Sequence, residues 1–220
     1  MIPMDVRDTA SVKEAIAHIV KKEGHIDILV NNAGVGIGGA VEDTSTEMAK
    51  ALFDTNFFGL CRVLQELLPV MRQQSEGLII NMSSIGGIIG LPFQGIYSAS
   101  KFAVEGLSEA LYKELFLSAI NVVLIEPGDF KTEFTANRQT IKTTHHADQF
   151  QRTMTVIEND EQNGQPPLKI AHLIEKIINT PNPRLRYAVG APDQKLSIFL
   201  KKILPNRWFD QIIMSYYQLK

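Results

Sequence analysis

A doubly wound α/β domain with a parallel sheet is the fold class this sequence predicts, and two observations predict it. Strand-length apolar runs alternate with longer amphipathic stretches along the chain, and the runs are continuously hydrophobic, as strands covered on both faces require. Three of them, Ile26 to Val30, Leu78 to Met82 and Asn121 to Ile125, end in small or polar turns: Asn31-Asn32-Ala33-Gly34, Ser83-Ser84-Ile85-Gly86 and Glu126-Pro127-Gly128. Ligands of such sheets bind beyond the carboxyl ends of the strands, so function is expected at these turns.

Taken in order, the chain opens on Ile2 to Met4, which reads as the end of a strand. Val12, Ala15, Ile16, Ile19 and Val20 then fall at helical intervals, with Ser11 as the expected cap and Gly24 as the stop. After the run Ile26 to Val30 comes a long helix from about Thr46 to Gln73, then the strand Leu78 to Met82, a Gly-rich loop to Phe93, and a second long helix from Tyr97 to Leu117. The strand Asn121 to Ile125 follows. Beyond Thr132 the chain turns polar without clear periodicity, so residues 134–167 read as a mobile substrate loop with short helical pieces. A helix over Leu168 to Ile178, a strand near Leu185 to Val189 and an amphipathic tail over residues 195–220 complete a single domain spanning 1–220.

Bulk properties exclude several classes. With 45% hydrophobic and 21% charged residues the 220-residue chain is neither disordered nor fibrous. Its net charge of -2 with scattered lysines and arginines gives no basic stripe, so nucleic acid is not an expected partner. The single cysteine, Cys61, cannot form an intrachain disulfide and reads as core packing. There is no membrane-length apolar run, and the amino terminus has neither a basic nor an apolar leader region, so a cytoplasmic protein is expected. His145 and His146 are adjacent rather than a helical turn apart, and no metal is expected there.

The chemistry concentrates in Tyr97-Ser98-Ala99-Ser100-Lys101. A spacing of four puts the tyrosine and lysine on one face of a helix. An ammonium beside a phenol favours phenolate, which would bring the acid/base range of Tyr97 down toward neutral pH. Alone, such a pair is common on surface helices. Thirteen residues before Tyr97, however, stands Ser84, with Ser83 as its competitor, and Asn56 lies upstream in Asp54-Thr55-Asn56-Phe57.

Asn-Asn-Ala-Gly after one strand, Ser-Ser-x-Gly after the next, Tyr-x-x-x-Lys thirteen residues past that serine, and Pro-Gly after a further strand resemble the short-chain dehydrogenase/reductases. The stretch Gly90 to Gly106 is similar to the hydroxysteroid and retinol dehydrogenase branch. The resemblance covers residues 1–135 well and the rest loosely. It implies a Rossmann-like sheet and an oxidoreductase that interconverts an alcohol and a carbonyl with NAD or NADP, on a hydrophobic small-molecule substrate. Tyr97 becomes general acid/base, Lys101 lowers its pKa and holds the nicotinamide ribose, Ser84 polarises the substrate oxygen, and Asn56 completes the tetrad, although Asn56 alone also suits a helix bend. For the cofactor, Asp5 matches the acid at the adenine, Asn31, Ala33 and Gly34 match the turn on the adenine ribose side, and Pro127, Gly128 and Thr132 match the segment over the carboxamide. Asn31 and Asn32 equally suit bonding within the sheet. The long helices resemble those that pair in the family's homodimers and homotetramers.

Gly34-x-Gly36-x-x-Gly39 satisfies the dinucleotide pattern but is rejected, because helix signals begin only near Ser45. The family's fingerprint precedes Asp5, so the reading expects the first two strands and the pyrophosphate loop, roughly 30 residues or more, to be missing. A start assigned at an internal methionine is favoured over a true truncation. The alternative function is a noncatalytic fragment that still dimerises. Membrane contact by the tail is not expected; a substrate lid or packed helix is the commoner outcome.

Overall fold

The computed structural model describes residues 2–220. Asp8, not Ser11, starts the first helix, α1 (Thr9–Glu23): its carboxylate accepts the Ala10 N–H, and Ser11 Oγ instead accepts the Asp5 N–H. Gly24 ends the helix at φ 85°, a left-handed conformation that glycine takes without steric cost. Ile2 to Met4 form no strand, and Ile2 and Met4 are exposed.

Four parallel strands make the main sheet: β1 (Ile28–Asn31), β3 (Gly77–Met82), β4 (Ile120–Pro127) and β6 (Arg186–Val189), in the order β1-β3-β4-β6. Alternation along β3 and β4 divides their apolar side chains between two cores. Ile79, Val122 and Leu124 face Val12 and Ile16 of α1, together with Val63, Leu67 and Met71 of α3 (Leu60–Gln74). On the opposite face Ile80, Val123 and Ile125 pack with Ile177 of α6 (Leu168–Ile178). These positions are almost fully buried, and each such side chain contributes about 1.5 to 3 kcal/mol. Helices therefore cover both faces of a parallel sheet, the architecture of the Rossmann type. With the first two strands expected to be missing, the Ile26 to Val30 run is expected as an apolar edge, and β1 is one, paired on one side only; what departs from expectation is the cover of its faces, since Ile28 and Val30 are 38% and 37% exposed.

The long helix expected from Thr46 to Gln73 is interrupted. α2 (Thr46–Phe53) passes through a π-helical turn, Asp54–Gly59, before α3 begins. A π turn widens the helix and re-aims one side chain, and the side chain re-aimed into the interior here is Asn56, 2% exposed. The second long helix is α4 (Gly95–Glu114).

Residues 134–167 are more ordered than expected. β5 (Gln139–Thr140) pairs with β2 (Ile37–Gly38), and α5 (Ala147–Gln162) is a sixteen-residue helix. Its buried positions Phe150, Met154 and Ile157 form a narrow stripe among polar residues, which diluted the sequence pattern. Two further helices close the chain, α7 (Pro192–Ile203) and α8 (Asn206–Tyr216). No helix among the described residues is long and apolar enough to cross a membrane.

Candidate active site

The carboxyl ends of β3 and β4 and the start of α4 enclose a cavity of about 200 Å³, into which Ser84, Tyr97, Lys101, Pro127, Gly128 and Thr132 project. Sequence dictates this meeting locally. β3 ends at Met82, a single turn of 3-10 helix (Ile85–Gly87) follows Ser84, and α4 carries Tyr97 and Lys101 on one inward face. Gly86 permits the approach, since a Cβ there would lie 3.3 Å from the Tyr97 ring and 3.4 Å from Ser84 Oγ.

Both members of the tyrosine–lysine pair are buried, with opposite consequences. Lys101 Nζ donates to the Met82 carbonyl at 2.9 Å, and burial lowers its pKa to about 8, partly offset by Glu105. The Tyr97 phenol is not brought down as expected: burial pushes it up to about 12, against the opposing pull of the Ser84 hydroxyl. Desolvation dominates, and the ammonium is tethered to a backbone carbonyl, 5.9 Å from the ring centroid. Tyr97 is consequently a protonated donor at neutral pH.

The two serines part company. Ser84 Oγ accepts the Gly86 N–H at 3.0 Å and borders both this cavity and the one beside it. Ser83 also lines the first cavity, but its Oγ is buried with no hydrogen-bond partner among the described residues, where a Cβ on Gly87 would reach it at 2.6 Å.

Asn56 stands behind the cavity. It exchanges hydrogen bonds with the Val35 backbone, accepting N–H at 2.8 Å and donating to the carbonyl at 2.9 Å, and it also donates to Ser100 Oγ at 3.1 Å. Ser100 in turn donates to the Tyr97 carbonyl at 2.7 Å. The turn after β1 is thus fastened to the tyrosine's own helix.

The remaining expected residues divide. Asn32 and Gly34 line the cavity, whereas Asn31 donates to Asn81 Oδ1 at 2.9 Å, and Asn81 to Ser108 Oγ at 2.9 Å, inside the sheet. Ala33 is exposed outside the lining. Asp5 lies away from both cavities, held by the Arg7 guanidinium, which takes its carboxyl down to about 2. No helix starts within Gly34 to Gly39; β2 occupies that stretch. In Lys101 the cavity holds a cation with one proton committed to Met82, leaving donors that suit the paired hydroxyls of a nicotinamide ribose.

Several bordering groups had no sequence signal. Phe134 tilts over Tyr97 with ring centroids 5.7 Å apart. Glu161 of α5 pairs with buried Arg138 and accepts from Thr135 Oγ1 at 2.6 Å. Asp129, bonded by Gln194 Nε2, is pushed up to about 7 by burial and by the neighbouring Glu161 and Asp160. Only Asp129 was within reach of a local rule, since it directly follows the strand-end Pro127-Gly128.

Adjoining the cavity is a second, more apolar chamber of about 270 Å³, bordered by Ile85, Ile89, Leu196, Leu200, Ile212 and Ile213. Ser84, Leu91, Pro127, Gly128, Asp129 and Tyr217 border both spaces. A ligand with a polar reacting centre and an apolar tail matches the pair.

Comparison with known proteins agrees with this geometry. The profile of the family described as short chain dehydrogenase matches residues 1–142. A 3-ketodihydrosphingosine reductase of Bacteroides thetaiotaomicron is 43% identical over all of this chain and 83% of its own. A short-chain dehydrogenase of Streptomyces avermitilis superposes with a TM-score of 0.79 at 28% identity, over 99% of this chain and 79% of its own. The closed form of a serine dehydrogenase complexed with NADP+ gives 0.73 at 28%, over 86% and 74%. On its sheet, its strand-end site and these matches, the chain belongs to the short-chain dehydrogenase family.

Proposed function

We propose that this protein is an NAD(P)-dependent reductase of a ketone with a long apolar tail, of the 3-ketosphingoid kind named for its bacterial relative. The observation that carries this reading is the meeting of the buried Tyr97 phenol and an apolar chamber across Ser84. The Ser84 hydroxyl donates a hydrogen bond to the ketone oxygen and fixes it against Tyr97. Tyr97 passes its phenolic proton to that oxygen, and a phenol held up near 12 stays loaded for this step through neutral pH. A bound nicotinamide cofactor supplies the hydride that completes the alcohol. All of Lys101, Asn32, Gly34, Pro127, Gly128 and Thr132 line the cavity; Lys101 would hold the ribose hydroxyls, and Pro127, Gly128 and Thr132 would hold the nicotinamide. Asn56 positions these groups through Val35 and Ser100. Phe134 and α5 shield the reacting carbon from water, while α7 and α8 receive the tail of the substrate.

Self-association through the first long helical segment and α4 belongs to the same proposal, since Phe58 and Phe102 are exposed there. The test of the activity is oxidation of NADPH and of NADH by the purified chain with 3-ketodihydrosphingosine and with a short ketone such as butan-2-one. The expected result is turnover of the long-chain ketone with one preferred nucleotide. Equal turnover of both ketones would overturn the substrate assignment, and none with either ketone and either nucleotide would overturn the reductase assignment.

A further inference from the structure

Helices α7 and α8 each leave an apolar stripe on the outside of the molecule. On α7, Leu196, Phe199 and Ile203 fall three and four residues apart, and on α8, Trp208, Ile212 and Tyr216 fall four apart. All six are exposed, Phe199, Ile203 and Trp208 at 57%, 58% and 62%. Tyr216 donates to Asp160 Oδ2 at 2.7 Å, but docking onto the body of the protein does not account for Phe199, Ile203 and Trp208, because other side chains do that work: Ile198 and Phe209 are buried against Ile85 and Ile89. Both helices are therefore apolar on one face more than their packing uses. The stripes also converge, since Leu196, Ile212 and Tyr216 line the apolar chamber while remaining exposed to solvent.

Charge narrows the choice of partner. Residues 192–216 carry Lys195, Lys201, Lys202 and Arg207 against Asp193 and Asp210, a net positive segment in a chain of net charge -2. Lys195, Lys202 and Arg207 are exposed beside the stripes, as are Asp193 and Asp210, so the exposed charge stays positive. A second copy docking through the same face would set this positive segment against itself, because a two-fold contact uses the same patch on both sides. An anionic lipid surface meets both features at once: acyl chains take the apolar stripe and headgroups take the cations, with Trp208 suited to the boundary between them.

We propose that the α7–α8 hairpin docks this protein on the surface of an anionic bilayer, with the mouth of the apolar chamber facing the lipid. The proposal reverses the expectation for the tail, and the reason is tertiary: the amphipathic pattern marks an apolar face, while packing shows that a second apolar face remains outside. It stands on the surface alone and does not depend on which ketone is reduced.

The test is co-sedimentation of the full chain with vesicles of phosphatidylcholine alone and of phosphatidylcholine with phosphatidylglycerol, with sedimentation velocity in the absence of lipid. Capture by the anionic vesicles and little by the neutral ones is expected. The Lys202→Glu/Arg207→Glu variant should partition about tenfold or more weaker, and Phe199→Ser/Ile203→Ser/Trp208→Ser should remain in the supernatant with its unfolding temperature unchanged. No capture of the wild type by anionic vesicles, or equal capture of wild type and the triple serine variant, overturns the proposal. A lipid-free dimer that the triple variant dissolves, with no vesicle capture, assigns the face to a second copy instead. Because the readout needs no turnover, its failure is distinct from failure of the substrate reading.

Discussion

The two walls of the cleft are built on different terms. One wall, made by β3, β4 and α4, presents Ser84, Tyr97 and Lys101 from a core whose strands are mostly buried, and it is cross-tied by Asn31–Asn81–Ser108 and Val35–Asn56–Ser100. The facing wall, made by Phe134, α5, α7 and α8, rests on smaller apolar clusters and a few distant ties, such as Thr153 Oγ1 to the Tyr217 carbonyl at 3.0 Å. The groups proposed to move protons sit on the main sheet and the helix packed against it. The groups proposed to enclose the tail sit on helices outside that sheet. The contrast separates chemistry from selection, and each wall can be attacked on its own terms.

The largest effect is expected on the rigid wall. Tyr97→Phe removes the donated proton and leaves the ring packing, so kcat/KM for ketone reduction should fall by about 10² to 10⁴ with little change in the unfolding temperature. Steady-state NAD(P)H oxidation and a thermal melt on the same sample check this; retained activity breaks the assignment of Tyr97.

Next comes the tie behind it. Asn56→Ala strips both Val35 backbone groups of their side-chain partner, at an expected cost of about 2 to 4 kcal/mol in urea unfolding. Asn56→Asp keeps the acceptor for the Val35 N–H but not the donor for its carbonyl, and should lie between the two.

The smallest effect belongs to the junction of the walls. A carboxyl raised to about 7 keeps its proton in the folded protein between about pH 4 and 7, where the unfolded chain releases it. Stability should accordingly fall as pH rises through that window. Asp129→Asn should flatten the fall by about 2 kcal/mol, as urea midpoints at pH 4.5 and 7 would show. A residual slope of the same sign is expected from Glu126, raised to about 7 by burial and by Glu105. An unchanged slope in the variant would show that Asp129 is ionised in the folded state.

Legibility in the sequence followed the same division. Ser84, Tyr97 and Lys101 meet through one strand end, one tight turn and one helix face, all short-range geometry that spacing encodes. The run Leu168 to Ile178 emerged with its bounds intact because its apolar face is broad. By contrast α5 was hidden: it buries a narrow stripe and a charged pair, Glu161 with Arg138, so its composition resembles a loop. The strand Ile26 to Val30 is expected to be an edge and is one, but its faces read as covered because hydrophobicity reports what a segment prefers, not which neighbours it has. Asn31 illustrates a finer limit, since one residue decides whether a side chain faces the cavity or the sheet, and here Asn32 takes the cavity.

By itself, then, the chain determined the alternation of strand and helix, the parallel sheet and the identities of the groups at its strand ends, because these follow from periodicity and from contacts within a few turns of one another. The state of those groups was decided only by the tertiary structure. Burial set the directions in which Tyr97 and Lys101 shift, the π turn aimed Asn56 inward, and the packing of α7 and α8 determined which apolar residues remained outside. Desolvation and long-range packing depend on what surrounds a residue, and that is absent from its place in a linear order.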